Sequence, residues 1–325
     1  MTAAVTVVIP TWNAAPFVEE TLVSVSEQTF TDLRVVVSVD PSSDGTLGVC
    51  RRIARVDDRF EVHARWRRGG WVGNSNAALA RVRTPLFIYM PHDDLLPPGY
   101  IEGLSESLAE HPDAICAYPD VEAFDLAEGI RSAPSMVGTP VDRVVQWLSG
   151  DLGAIPFRGL TRTSALEAGL RLREGTFGGF FADTLWVTEL AAMGDCIRVP
   201  DVVYRKRVRT DSVVRGWESW PTEKKAEATL DHLVEVSTAL DRAGFTQEDK
   251  QRAMDAAIDR LGRIPHRWRP FANDVDRTRF LASLAESIGP LHPGSPKDPA
   301  PRAAPASPSA GSAEERSNDA GRSVT

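Results

Sequence analysis

Cysteine is scarce in this chain, and its few cysteines match no metal-binding motif. The 325 residues contain three, and they are far apart in sequence: Cys50, Cys116 and Cys196. We expect them to be small core residues in a reducing compartment. The sequence therefore predicts a cytoplasmic protein, with peripheral association with a membrane left open. No run approaches the ~20 apolar residues of a membrane-spanning helix, so no transmembrane segment is predicted.

Positive charge is also in short supply. Lys and Arg number 37 against 45 Asp and Glu, which gives a net charge of -8 and argues against nucleic acid as a partner. No G-x-G-x-x-G motif follows the first predicted strand, which makes a dehydrogenase improbable. The absence of a Gly-rich loop carrying Arg or Lys at that place weakens a sugar-nucleotide pyrophosphorylase.

What the chain does have is an alternation of strand and helix patterns in its first part. Short runs rich in β-branched residues predict strands, and stripes of apolar residues between them predict helices. The predicted strands are 5–9, 33–39, 60–64, 86–90 and 114–118. Such an alternation predicts an α/β fold with a mostly parallel, Rossmann-like sheet covered by helices on both faces. Ligands of these sheets bind beyond the carboxyl ends of the strands.

The pattern changes twice further along the chain. Residues 199–208 resemble a short strand pair, and helical periodicity dominates after Pro221. We therefore divide the chain into an α/β domain over residues 1–220, a helical region over 221–289 and a Pro/Ala/Ser-rich tail over 290–325. The tail has too few large apolar residues to offset its ordering entropy, so we expect it to be disordered.

Polar side chains follow three of the predicted strands. Pro10, Thr11, Trp12 and Asn13 come after the first, Asp40 after the second, and His92, Asp93 and Asp94 after the strand at 86–90. The ends of parallel strands share one edge, so these side chains can converge on one ligand. Two adjacent carboxylates oppose each other's ionisation, and a divalent cation that holds phosphate oxygens is a natural partner. The alternative is a helix cap followed by a first-turn acid.

At these residues the sequence resembles the family 2 glycosyltransferases, which have a GT-A nucleotide-sugar-binding fold. The resemblance covers roughly the first two-thirds of the chain, and the order and spacing of its motifs make it specific. The matching segments are VTVVIPTWN from Val5, FVEETLVSVSEQTF from Phe17, VVVSVDPSSDGT from Val35, FIYMPHDDLLPPG from Phe87 and FADTLWVTELAAMG from Phe181.

The resemblance implies a role for individual residues. The segment from Pro10 to Asn13 would line the nucleoside pocket, with Trp12 stacking on the base and Asp40 hydrogen-bonding it. Asp94 and Asp93 would hold Mn²⁺ or Mg²⁺ on the donor diphosphate, Asp93 lying nearer the ribose or sugar. Asn76 would contact the donor, and Asp183 would be the catalytic base of an inverting reaction.

Two arginine clusters complete the expectations. We interpret Arg65, Arg67 and Arg68 as a solvated strand face. Arg207 and Arg209, with Arg205 beside them, could clamp the donor pyrophosphate, because guanidinium matches phosphate geometry. Arg209 stands roughly where relatives carry a metal-binding His, which puts the third metal ligand in doubt.

The predicted function is therefore metal-assisted, inverting transfer of a sugar to an acceptor hydroxyl. By resemblance the donor is a UDP- or dTDP-sugar. The acceptor stays open between a glycan, a lipid-linked molecule and a small molecule. The alternative is a non-catalytic nucleotide-sugar-binding or scaffold protein of the same fold, which the departure at Arg209 favours.

Overall fold

One mixed sheet organises the chain in the computed structural model, which describes residues 3–150, 153–265 and 268–289. Within these residues eight strands occur: β1 Val5–Thr11, β2 Leu33–Val39, β3 Phe60–Ala64, β4 Leu86–Tyr89, β5 Ala114–Asp125, β6 Gly129–Arg131, β7 Leu160–Arg162 and β8 Asp195–Val208. Seven follow the order β3-β2-β1-β4-β7-β5-β6, and β8 pairs with β5.

Helices fill the connections. They are α1 Val18–Ser26, α2 Thr46–Ala54, α3 Gly70–Leu79, α4 Tyr100–Glu110, α5 Pro140–Ser149, α6 Ser164–Glu167, α7 Ala182–Met193, α8 Val213–Glu218, α9 Thr222–Arg242, α10 Gln247–Leu261 and α11 Asp274–Ile288, with a 3₁₀ turn at Ile155–Arg158. No helix of the described part is long and apolar enough to cross a membrane.

The parallel part of the sheet is the part that the sequence predicts best. All seven residues of β1 are buried, and the strand pairs in parallel with β2 and β4, while β2 pairs in parallel with β3. A strand buried on both faces is rich in apolar, β-branched residues, and in the run from Val5 to Ile9 every residue is β-branched and all but Thr6 are apolar. The predicted mostly parallel α/β sheet is thus confirmed, and β7 adds antiparallel pairing to β4 and β5.

The prediction of a strand pair at 199–208 is wrong. These residues belong to the single long strand β8, which runs parallel to β5. The pairing register shifts between Pro119 and Asp120, and the two strands stay paired to Val208. The predicted strand at 114–118 accordingly continues to Asp125, because β8 supplies backbone partners along this extension.

The helices after Pro221 pack onto the sheet domain. α9 lies against α7, α10 lies against α5, and buried residues such as Val236 and Met254 belong to the same apolar core as β1. The described residues fall in one compact unit. The division at 220/221 stays a prediction, and the tail over 290–325 lies outside the described residues.

Gly159, just before β7, gives a stability prediction. A Cβ at this position would lie 2.5 Å from the Ala117 carbonyl oxygen and 2.6 Å from Cys116 Sγ, both in β5. We expect Gly159→Ala to lower the free energy of unfolding by ~1–3 kcal/mol, the usual cost of overpacking, in urea denaturation. Gly48→Ala is the control, because nothing lies within 4 Å of its Cβ position in the helix α2. Equal stability of the two variants would contradict the prediction.

Candidate active site

A pocket opens beyond the carboxyl ends of β1, β2 and β3. Its volume is about 620 Å³, within the range of small-molecule sites. The residues that line it come from the loops that follow these three strands and from the start of α2: Trp12, Asn13, Val39, Asp40, Pro41, Ser42, Ser43, Leu47, Ala64, Arg65 and Arg68. The ends of β1, β2 and β3 thus meet at one pocket, and the convergence of these ends with Asp93 and Asp94 on one ligand stays a prediction.

Asp40 is the buried acid of this pocket, with 1% of its surface exposed. Its Oδ2 accepts a hydrogen bond from Gly69 N at 2.9 Å. Its Oδ1 lies 3.0 Å from Arg65 Nε, but the two atoms are not aligned as a hydrogen bond, and neither has another partner among the described residues. Asp40 Oδ1 is therefore held by the charge of Arg65 and still lacks a hydrogen bond, which a ligand could supply if Arg65 shifts.

Trp12 forms the exposed wall of the pocket. Its ring is 38% exposed, and the Arg68 guanidinium lies over it at 3.5 Å from the ring centroid. Arg65, Arg67 and Arg68 follow β3 and do not lie in it. Arg67 and Arg68 are exposed, in line with the interpretation as a solvated face, and Arg65 and Arg68 also line the pocket. The signal was available, since this cluster follows the carboxyl end of β3 just as Asp40 follows β2.

The other predicted pocket residues differ in what they contact. Asn13 lines the pocket, accepts a hydrogen bond from Ser43 N and donates one from its own N to Ser42 Oγ, both at 3.0 Å. Pro10 and Thr11 are buried in β1 and serve the sheet. Asn76 bonds the backbone of Leu172 with both its amide oxygen and its amide nitrogen, so it anchors the segment before α7 rather than lining this pocket.

Asp94 is the buried member of the acid pair. Its Oδ2 accepts from Tyr204 Oη at 2.7 Å, and its Oδ1 accepts from Arg207 N at 2.8 Å. Burial, with the charge of Asp93, raises the pKa of Asp94 to about 6. Asp93 is half-buried, and its Oδ2 lies 3.2 Å from Arg209 Nη1.

These two carboxylates fit a divalent metal ion poorly. Both oxygens of Asp94 already accept hydrogen bonds from β8, and Asp93 is paired with a cation rather than open to one. Hard divalent ions need several oxygen ligands. No group of three or more His, Cys, Asp or Glu side chains able to hold a metal ion occurs in the described part of the chain.

Arg207 lies in β8, on the face opposite Tyr204, and Arg209 lies directly after the strand; both are already engaged. The Arg207 guanidinium contacts Glu20 and Asp125, and its side chain is 8% exposed. Arg209 binds Asp93 and Asp211. Arg207 therefore braces β8 against its neighbours, and the idea that it clamps a pyrophosphate has no support in these contacts.

Lys206 lies on the opposite, inner face of the strand, and the sequence analysis missed it. Residues two apart in a strand share a face, so Lys206 lies on the side of Tyr204, whose hydroxyl binds Asp94. Repulsion by Arg158, with burial, lowers the pKa of Lys206 to about 8, and the charges of Asp94 and Asp183 oppose this shift. The strand-pair prediction hid the fact that Tyr204 and Lys206 share a face of one strand.

Asp183 lies in the first turn of α7, where a negative charge is favourable. Its Oδ1 accepts from Thr184 N at 2.9 Å. The loop before it is shaped by Phe181, at φ 56°, and by Gly179, at φ 82°. A Cβ on Gly179 would lie 2.6 Å from Trp71 Cζ2, so glycine is required there both by backbone conformation and by space.

Aromatic side chains surround this loop. Phe180 lies 5.4 Å from both Trp217 and Trp220, and Phe181 lies 5.3 Å from the ring of His232, measured between ring centroids. The helices α8 and α9 thus meet the candidate base through a packed aromatic cluster, and the position of Asp183 depends on them.

His232, in this cluster, makes stability pH-dependent. Burial, with the charge of Arg260, lowers its pKa to about 3. The His232 side chain takes up a proton near pH 6.5 in the unfolded chain but not in the folded chain. The free energy of unfolding is therefore not reduced by His232 above pH 6.5, and it falls progressively as the pH is lowered towards 3. We expect His232 to cost about 2 kcal/mol of unfolding free energy between pH 6.5 and 5. Urea denaturation of wild type and His232→Gln checks this, and parallel pH profiles would contradict it.

Comparison with known proteins gives the family. Residues 6–166 match the family model described as Glycosyl transferase family 2, which confirms the resemblance drawn from the sequence. Glycosyltransferase GlyA of Streptococcus pneumoniae is 22% identical over 75% of this chain and 36% of its own length. A GalNAc(5)-diNAcBac-PP-undecaprenol beta-1,3-glucosyltransferase of Campylobacter jejuni is 30% identical over 32% of this chain and 34% of its own. The chain thus spans about a third of these relatives.

Solved structures give the fold. TarS 1-349 of S. aureus in complex with UDP-GlcNAc superposes with a TM-score of 0.65 at 15% identity, over 88% of this chain and 81% of that one. The mannosyltransferase PcManGT of Pyrobaculum calidifontis, in complex with GDP-Man and Mn²⁺, gives a TM-score of 0.51 at 21% identity, over 88% and 80%. The likeness confirms the predicted GT-A fold class.

Proposed function

We propose, from the premise that this chain belongs to glycosyl transferase family 2 through residues 6–166, that it transfers a sugar from a nucleotide diphosphate to an acceptor hydroxyl with inversion. One observation carries the proposal: the loops after β1, β2 and β3 form a single pocket around Asp40, whose Oδ1 has no hydrogen-bond partner among the described residues. Such an oxygen suits the N–H of a nucleobase.

The nucleoside would occupy this pocket. Trp12 offers an aromatic face for the base, and Arg68, which now covers that face, would move aside or stay as a cation stacked on the base. Uracil and thymine each carry a ring N–H that can donate to Asp40, as guanine does, and the family resemblance makes UDP- and dTDP-sugars the proposed donors. The relatives' complexes with UDP-GlcNAc and GDP-Man support a nucleotide sugar as the donor class.

Asp183 would serve as the base. Its carboxylate takes the proton of the acceptor hydroxyl while that oxygen bonds the anomeric carbon from the face opposite the leaving group. The bond from the anomeric carbon to the diphosphate oxygen breaks with its electron pair, so the nucleoside diphosphate leaves and the configuration inverts. A positioned base of this kind typically contributes ~10²–10⁴-fold to the rate.

The family resemblance also implies Mn²⁺ or Mg²⁺ on Asp94 and Asp93, where it would neutralise the leaving diphosphate. Asp94 accepts hydrogen bonds from β8 and Asp93 is ion-paired with Arg209, so no step of the proposed reaction depends on a metal. Metal use stays a prediction that titration decides.

A nucleotide-release assay tests the proposal. The full chain is incubated with UDP-, dTDP- and GDP-sugars, with and without candidate glycan, lipid-linked and small-molecule acceptors, and the released diphosphate is measured. Release from one class of donor is the expected result. Tight nucleotide binding without release from any donor would instead favour the non-catalytic binding protein, which the Arg209–Asp93 pair makes a specific alternative.

A further inference from the structure

Two cations on the inner side of β8 have polar groups without partners. The Lys206 ammonium makes no hydrogen bond or ion pair with the described residues. Arg158 is 7% exposed, and its Nε is buried without a hydrogen-bond partner in the same part of the chain. Its Nη1 lies 3.2 Å from the carbonyl oxygen of Ala154. Arg158 is therefore a buried cation with an unsatisfied donor, and Lys206 near it is half-buried, with Asp94 and Asp183 close enough to act on its charge.

Their place in the fold is beside the acid pair and the candidate base. The loop after β4 is joined to β8 by a backbone bridge between Leu95 and Arg205, with N–O distances of 2.9 and 3.1 Å. Asp94 then bonds β8 at Tyr204 and at Arg207, one residue before and one after the segment Arg205–Lys206. Arg158 Cζ lies 5.5 Å from the Tyr204 ring centroid, on the same inner side.

The local charge favours an incoming anion. Arg158 and Lys206 repel each other, which is the main reason that the pKa of Lys206 falls to about 8. An ammonium with this pKa still carries its charge in most molecules at neutral pH. A phosphate group near Lys206 would relieve the repulsion and supply the missing partner, whereas a divalent cation at Asp94 would add to it.

We propose that Lys206, with Arg158 near it, binds the diphosphate of the donor in place of a divalent ion. Lys206 then stabilises the negative charge that develops on the diphosphate as the glycosidic bond breaks. The inference rests on the proposed function and deepens it. It also accounts for the poor fit of Asp94 and Asp93 to a metal: these carboxylates hold β8 and Arg209 in place and so position the cationic face.

Isothermal titration of the full chain tests the inference. UDP, dTDP and GDP are titrated first, and the tightest binder is then compared with its own nucleoside, in EDTA and in excess MnCl₂. The variants are Lys206→Met, which keeps the length and removes the charge, and Lys206→Arg, which keeps the charge. Lys250→Met is the matched control, because this lysine lies on α10 and pairs with Asp241.

We expect Lys206→Met to weaken diphosphate binding ~10–100-fold, the worth of a hydrogen bond to a charged group, and to leave nucleoside binding unchanged. The diphosphate affinity of Lys206→Arg should stay within about threefold of the wild-type affinity, and that of Lys250→Met should equal the wild-type affinity. Lys206→Met should unfold at about the wild-type temperature, because the variant removes the repulsion between Lys206 and Arg158 together with the attraction of Lys206 to Asp94 and Asp183. Wild-type affinity should be the same in EDTA and in MnCl₂.

Two results would overturn the inference and spare the proposed function. One is diphosphate affinity that is the same in Lys206→Met and wild type. The other is an increase of more than about tenfold in wild-type affinity on adding MnCl₂, which corresponds to more than ~1.4 kcal/mol. Failure of wild type to bind any nucleoside diphosphate in either buffer would overturn both.

Discussion

Asp183→Asn should lower the rate of nucleotide release by ~10²–10⁴-fold, with the affinity for the nucleoside diphosphate unchanged. Asparagine has the shape of aspartate, and its Oδ1 can still accept the hydrogen bond from Thr184 N. The packing of α7 and of the loop before it is therefore kept. What the variant loses is the ability to take a proton from the acceptor, which binding does not need.

The control for this variant is Glu174→Gln, an exposed carboxylate in the same loop whose side chain has no partner among the described residues. We expect it to release nucleotide at the wild-type rate and to bind diphosphate with wild-type affinity. Release is measured at saturating donor, and binding by titration calorimetry, so that a loss of chemistry is separated from a loss of affinity. Wild-type release by Asp183→Asn would remove the assignment of the base. A parallel loss of diphosphate affinity would show that Asp183 serves binding instead.

The parallel half of the sheet could be predicted from the sequence, because strands that are buried on both faces appear as short runs of apolar, β-branched residues. Six of the seven residues of β1 and four of the seven of β2 are β-branched, and a residue typical of turns or loops stands at the end of each run. Because the carboxyl ends of parallel strands share one edge, Trp12 and Asp40 are predicted to lie at the same edge of the sheet. β7 cannot be predicted in this way, because it has three residues and its neighbours in the sheet are far away along the chain.

The inner face of β8 could not be read in the same way. Both faces of β8 carry charged side chains near its end: Lys206 lies on the face of Tyr204, and Arg205 and Arg207 lie on the other. The alternation of residue types alone therefore does not say which face is buried. The two faces differ in their hydrogen-bond partners. Tyr204 donates to Asp94 on one face, and on the other Arg205 donates to Glu122 and Arg207 to Asp125. Those partners come from strands and loops about 80 to 110 residues earlier, which is information that a local pattern does not hold.

Asp40→Ala should weaken binding of the nucleoside diphosphate ~10–100-fold, the largest effect that we expect on affinity from the base pocket. The variant removes the carboxylate whose Oδ1 has no hydrogen-bond partner among the described residues and whose Oδ2 accepts from Gly69 N. Asp58→Ala is the control, because this aspartate is an exposed carboxylate in the turn before β3 and does not line the pocket. Titration calorimetry measures the affinity of both variants and of wild type.

A loss of affinity alone would not tell a contact to the base from damage to the loop that holds Gly69. The two are separated by titrating UDP and UDP methylated at the ring N–H that Asp40 is proposed to accept. Wild type should prefer UDP by about tenfold or more, since the methylated base has no N–H to donate to Asp40 Oδ1, and Asp40→Ala should lose most of this preference. If Asp40→Ala keeps the full preference while its affinity falls, the carboxylate supports the pocket wall and another group reads the base.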